Sequence, residues 1–233
     1  MQKDKERLVD PDLQEIRQEL IRMGLEVEGM LTQAIRGLTE RVLTDIHEVP
    51  ERDRIVDELE KRIHERCITI LARHQPAAID LRFIVSVIRV IGQLERIGDS
   101  SKNIAASAEI LVREPELKPY VDLPRMARIA GQMIRDSLDS FLQKDADRAR
   151  EVCQRDDEID QLYDQCFREL LTFMAEDMSA ITRGLHLLLI ARNLERIADH
   201  ATNIAEDTVY YIEARDIRHT PEGTGQGPTG LPG

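Results

Sequence analysis

The chain has 233 residues, 42% of them hydrophobic and only 3% aromatic, with no Trp, so a core of useful size must be aliphatic. Thirty-two Lys and Arg against 44 Asp and Glu give a net charge of −12, which excludes a basic nucleic-acid binder and disfavours unaided binding to an anionic membrane. No run of 18 residues lacks charge, the first residues show no apolar signal region, and the three cysteines (Cys67, Cys153, Cys166) form no C-x-x-C pair; a cytoplasmic protein with free, buried thiols fits these features.

In chain order, residues 1–9 are a charged lead-in. Asp10-Pro11-Asp12 has the form of a helix start, with Asp10 as N-cap and Pro11 in the first turn. Leu13, Ile16, Leu20, Met23, Val27, Met30, Leu31, Ile35 and Leu38 then recur at three and four, predicting a long amphipathic helix. A break falls near Leu43-Thr44-Asp45. A second helix carries Ile46, Val49, Val56, Leu59, Ile63, Cys67 and Ile70 and stops near residues 74–76. A third runs from about 78 to 112, with Leu81, Ile84, Val85, Ile88, Ile91, Leu94, Ile97, Ile104 and Ala108 apolar. Residues 113–119, with two prolines, form a linker. Asp122-Leu123-Pro124 opens a fourth helix; a fifth carries Val152, Ile159, Leu162, Cys166, Leu170 and Phe173, and a sixth Ile181, Leu185, Leu188, Leu194, Ile197 and Ile204. From 217 to 233 a Gly/Pro-rich tail without an apolar face is expected to be disordered. No segment alternates with period two.

The chain is an internal duplication. Residues 94–107 return as 194–207 with eight of fourteen positions identical. Upstream, Arg52, Asp53, Val56, Asp57 and Leu59 match Arg155, Asp156, Ile159, Asp160 and Leu162 at an offset of 103, so the second copy has lost three residues near 174–177. A period near 100 is a duplicated domain, not a short solenoid repeat. The fold expected is all-α, two tandem three-helix bundles over residues 10–113 and 120–216.

The residues kept in both copies carry the chemistry. Glu95, Asp99 and Asn103 are spaced four apart, as are Glu195, Asp199 and Asn203, which stacks oxygen-bearing side chains along one helical face. Asp53 and Asp57 form a second ladder, repeated as Asp156 and Asp160. A short connection makes the second and third helices antiparallel, so the ladders can face each other. Carboxylates gathered this way repel unless a cation is present, and oxygen-only ligands suit Mg²⁺, Mn²⁺, Ca²⁺ or oxidised iron. Against this, acidic pairs one turn apart are common in a chain with 44 acidic residues, and most are solvated faces. A ferritin-like di-iron oxidase would need Glu-x-x-His, and no His has Glu three residues before it. His200, next to Asp199, is at most an accessory ligand, because its counterpart is Ser100. No P-loop, dinucleotide glycine pattern, zinc spacing or nucleophile with a placed base stands out.

Leu94-Glu95-Arg96-Ile97-Gly98-Asp99 with Asn103-Ile104-Ala105, its second copy with Asp199-His200, and Pro76-Ala77-Ala78-Ile79-Asp80-Leu81-Arg82 resemble the PhoU family, over residues 10–215. The resemblance implies two three-helix bundles bearing multinuclear metal sites, usually iron (with Mn, Mg or Zn as other candidates). It carries the ligand role to Asp53, Asp57, Glu95, Asp99 and Asn103, and to Asp156, Asp160, Glu195, Asp199 and Asn203. It also implies a homodimer and a non-enzymatic adaptor between the ATPase subunit of the phosphate ABC transporter and the phosphate-sensing histidine kinase, reaching the membrane only through these partners. That adaptor represses the phosphate-starvation response when phosphate is plentiful. A metal-dependent hydrolase and a metal-free helical scaffold are the competing expectations. The pairs Gly98/Ala198 and Ser100/His200 differ, so the two sites need not be equal.

Overall fold

The computed structural model describes residues 2–74, 76 and 78–214, without the side chains of 2–10; the 217–233 tail lies outside the described residues. Among the described residues, seven α-helices and one 3₁₀ turn follow in order: α1 (Gln2–Thr39), α2 (Leu43–His74), α3 (Ala78–Val112), α4 (Asp122–Gln143), α5 (Ala146–Gln154), α6 (Asp156–Glu176), the 3₁₀ turn (Met178–Ala180) and α7 (Ile181–Glu213). No strand occurs among the described residues. Helices α1–α3 form the first three-helix bundle; α4, α5 with α6, and α7 form the second.

Each bundle is antiparallel. Arg52 on α2 pairs with Glu26 on α1, and Arg62 with Glu19, so positions rise on one helix as they fall on the other. The two bundles are joined in the same sense. On α3 and α7, Phe83 meets Tyr211, Arg89 meets Asp207, and Gln93 meets His200. On α1 and α4, Gly24 lies under Leu138 and Glu28 binds Arg135. The buried apolar side chains therefore make one continuous core through both bundles. A stack of Phe83, Phe141 and Tyr211, with 5.6 Å between each pair of ring centroids, bridges α3, α4 and α7, and the Arg17 guanidinium lies 4.4 Å above Phe83.

The apolar positions expected of α1 and α2 are all buried. Three differences from the sequence reading have local causes. First, α1 does not start at Asp10 but runs through Pro11 from Gln2. A proline inside a helix removes one donor at a local cost of about 3 kcal/mol, and the charged residues preceding it are good helix formers. Second, the expected fifth helix is two. Arg155 has φ −81° and ψ −12°, its N–H bonds back to Val152 O, and Glu158 N–H bonds to Arg155 O. These three-residue hydrogen bonds tighten one turn and separate α5 from α6. Third, Leu81, Ile181 and Leu185 are exposed, while Phe83, Val87 and Val90 are buried. Helices α3 and α7 pack on two sides and are apolar around much of their circumference, so spacing does not select a single inner face.

The duplication extends to the turns. Arg41 and Lys144, at the offset of 103, both take left-handed conformations (φ 57° and 60°) at the end of the first helix of their bundle. All three cysteines are free, and burial pushes their thiols up, Cys67 to about 12 and the other two to about 11.

Candidate functional site: two unequal carboxylate clusters

In each bundle the short connection after the second helical segment turns the chain back, so α2 faces α3 and α6 faces α7. In the first bundle this brings Asp53 and Asp57 of α2 opposite Glu95 and Asp99 of α3. Gly98 lies in the seam: a Cβ there would stand 3.5 Å from Asp53 Oδ1 and 3.6 Å from both Met30 and Val56, so alanine fits, as Ala198 does in the second copy.

The first cluster contains a cation that the sequence reading did not place there. Lys102 Nζ donates to Asp53 Oδ2 at 2.5 Å and lies 2.8 Å from Asp99 Oδ1, bridging α2 and α3. Burial works against its charge, but the hydrogen bonds to Asp53 and Asp99 outweigh it and raise its pKa. Asp53 is buried, Asp57 and Glu95 are half-buried, and Asp99 is exposed. The Glu95 carboxyl is raised by burial and by the charges of Asp99, Glu60 and Asp57.

Thr202 occupies the matching position in the second cluster, so no ammonium enters. Asp156, Asp160 and Asp199 make no ion pair among the described residues; Glu195 is bound at its edge by Arg192, at 2.7 Å. Burial, then the charges of Asp199 and Asp160, push the Asp156 carboxyl up to about 6. The Thr202 hydroxyl lowers it by less than burial and these two carboxylates raise it. Asp199 is raised by burial and by Asp160, and Glu195 by burial and by Asp199. One Glu195 carboxylate oxygen is buried without a hydrogen-bond partner. His200 points away, toward the first bundle: its Nδ1 is 2.9 Å from Gln93 Oε1, and burial, then Arg96 and Arg196, lower its pKa to about 4.

Asn103 and Asn203 do not complete the ladders in the way their spacing suggested. Asn103 is exposed and Asn203 half-buried, and neither makes a side-chain hydrogen bond among the described residues. Steps of four drift by about 40° each around a helix, so an asparagine eight residues on is turned about 80° from Glu95 or Glu195. The residue seven on is turned by only about 20°. Lys102 and Thr202 are those residues, and that register was the available signal for them. Among the described residues, no group of three or more Asp, Glu, His or Cys side chains is gathered closely enough to enclose an ion.

Two tandem three-helix bundles from one duplication, each with an acidic seam between its last two helical segments, define the architecture of this chain. The chain matches the PhoU domain model twice, over residues 20–108 and 123–208, and it belongs to the PhoU family. It is 41% identical over 209 residues to the phosphate-specific transport system accessory protein PhoU homolog of Pseudomonas putida, covering 89% of this chain and 82% of that protein. The homolog of the same name from Aquifex aeolicus is 40% identical, with 89% of this chain and 94% of the relative covered. The crystal structure of PhoU from Pseudomonas aeruginosa superposes with a TM-score of 0.86 at 38% identity, covering 89% of this chain and all of that one. The phosphate transport system regulatory protein PhoU from Streptococcus pneumoniae gives 0.81 at 27% identity, covering 89% and 98%.

The donor sets can be weighed against the metal that this family implies. In the first bundle the set does not fit as it stands, because a tethered ammonium already lies between Asp53 and Asp99. In the second, Asp156, Asp160, Glu195 and Asp199 are hard oxygen donors that repel one another, a set that suits a multivalent cation once the side chains turn inward. No helix among the described residues is long and apolar enough to cross a membrane.

Proposed function

We propose that this chain is a cytoplasmic, non-enzymatic regulator of phosphate uptake. It acts as an adaptor between the ATPase subunit of a phosphate transporter and a phosphate-sensing histidine kinase, and it represses the starvation response when phosphate is plentiful. The observation that carries this reading is the match of both copies to relatives named as accessory and regulatory proteins of phosphate transport. Exposed apolar side chains add to it: Ile181, Leu185 and Leu189 are spaced by four along α7, and Phe167 and Leu171 by four along α6. Unburied stripes of this kind suit docking to another protein.

Within this reading, Asp156, Asp160, Glu195 and Asp199 would hold a multivalent ion, iron first, with manganese, magnesium or zinc as the other candidates. Bound there, the ion supplies positive charge that cancels the repulsion and ties α6 to α7. The helix seam and the outward faces of both helices then respond together to loading.

The test is genetic. Deleting the gene should leave phosphate-starvation genes switched on in high phosphate, and the wild-type gene should restore repression. A Glu195→Ala/Asp199→Ala variant that folds but binds no metal should fail to restore it. Normal repression in the deletion strain would contradict the regulatory reading. Full repression by the metal-free variant would remove metal from the mechanism while leaving the adaptor role.

A further inference from the structure

We propose that Lys102 is a built-in counter-cation that closes the first carboxylate cluster to metal, so that the duplication has produced one seam bridged by its own cation and one cation-dependent seam. The second half of this statement rests on the metal reading proposed above; the first half rests on the geometry of Lys102 alone.

Lys102 lies three residues after Asp99 and seven after Glu95, close to the azimuth of the acidic face. From there its ammonium reaches across the seam to Asp53 at 2.5 Å while holding Asp99 at 2.8 Å. It joins the same two helical segments, through the same carboxylates, that a bridging ion would join. An incoming ion must break two charge-assisted hydrogen bonds and displace a cation that cannot diffuse away. Lysine suits this role because its point charge carries three donors on a flexible stem.

The second bundle is the internal control. Its four carboxylates stand at the matching sequence positions, but Thr202 replaces Lys102. A hydroxyl has no charge to offer Asp156 and Asp199. Arg192 pairs with Glu195 at the rim, and its charge and that of Arg196 reach Asp199 without forming an ion pair. The Glu195 oxygen left buried without a hydrogen-bond partner is the physical trace of that missing charge. The Lys102/Thr202 difference thus separates a half that carries its own counter-cation from a half that carries none at that position.

The experiment exchanges the two residues in the full chain. Mn²⁺ bound per chain is counted by calorimetry and by electron paramagnetic resonance for wild type, Lys102→Thr and Thr202→Lys. Melting temperatures are measured on the same proteins in EDTA. The proposal predicts that Lys102→Thr increases the number of Mn²⁺ bound, and that Thr202→Lys weakens wild-type binding at least tenfold. In EDTA, Lys102→Thr should melt lower and Thr202→Lys higher than wild type. A Lys102→Thr protein that binds no additional Mn²⁺, where the wild type binds at the second seam, would overturn the proposal. If the wild type binds no Mn²⁺, the metal reading fails and the melting data decide the role of Lys102. Unchanged melting temperatures in both variants would then overturn that role as well.

Discussion

The two seams differ electrostatically at the Lys102/Thr202 position. Lys102 satisfies Asp53 and Asp99, whereas Asp156 faces other carboxylates and titrates near 6. This sets a pH dependence. An aspartate raised from its unfolded value of 3.8 binds more protons when folded, so its contribution to stability is present below pH 4 and is lost as pH rises through 6. In metal-free buffer, Asp156→Asn should remove this loss and raise the melting temperature at pH 7.5. Because Asp156 is partly solvated, the gain should be about 1 kcal/mol, or roughly 2–4 °C, and it should shrink toward zero at pH 4.5. An equal effect at both pH values in thermal melts would contradict the assignment. That these acids face one another across two helices was legible in the sequence, because the paired spacing of four recurs at matched positions of both copies. Lys102 was not, because the eye follows steps of four, while the geometric continuation of a helical face lies at seven.

At the scale of elements, the first two apolar stripes were read correctly because α1 and α2 each bury one well-defined face. Helices α3 and α7 were harder. Each contacts its own bundle and also the other copy, so apolar residues surround them and spacing alone cannot say that Phe83 is inside and Leu81 outside. The split at Arg155 left no Gly or Pro to announce it; it is a local tightening of hydrogen bonds in a helical region. The aromatic stack shows what the second contact contributes. Phe141 on α4 is fully buried against Phe83 of the first copy and Tyr211 of the second. Phe141→Ala should cost about 3–5 kcal/mol, a fall of roughly 10 °C in the melting temperature. A loss below 1 kcal/mol in calorimetry would show that the bundles do not depend on this junction.

For the molecule as a whole, the duplication was visible but the manner of joining was not. An offset of about 100 residues identifies two copies; it carries no information on whether they stand apart or share a core. The antiparallel pairing of α3 with α7 and of α1 with α4 merges them, and unfolding should therefore be one cooperative transition. Two resolved calorimetric transitions would argue against that coupling. The merging also links the second seam to the surface: α7 carries Glu195 and Asp199 on one side, the junction with α3 on another, and exposed Ile181, Leu185 and Leu189 near its start. The central claim is that the output of this chain is binding to the phosphate-transport machinery. The most direct test is association of the purified full chain with the purified ATPase subunit of the cognate phosphate transporter, followed by calorimetry for wild type and Leu185→Asp/Leu189→Asp. The account predicts a saturable complex with the wild type, weakened at least tenfold by the folded double variant. No association by the wild type, or equal affinity in the two proteins, would contradict it.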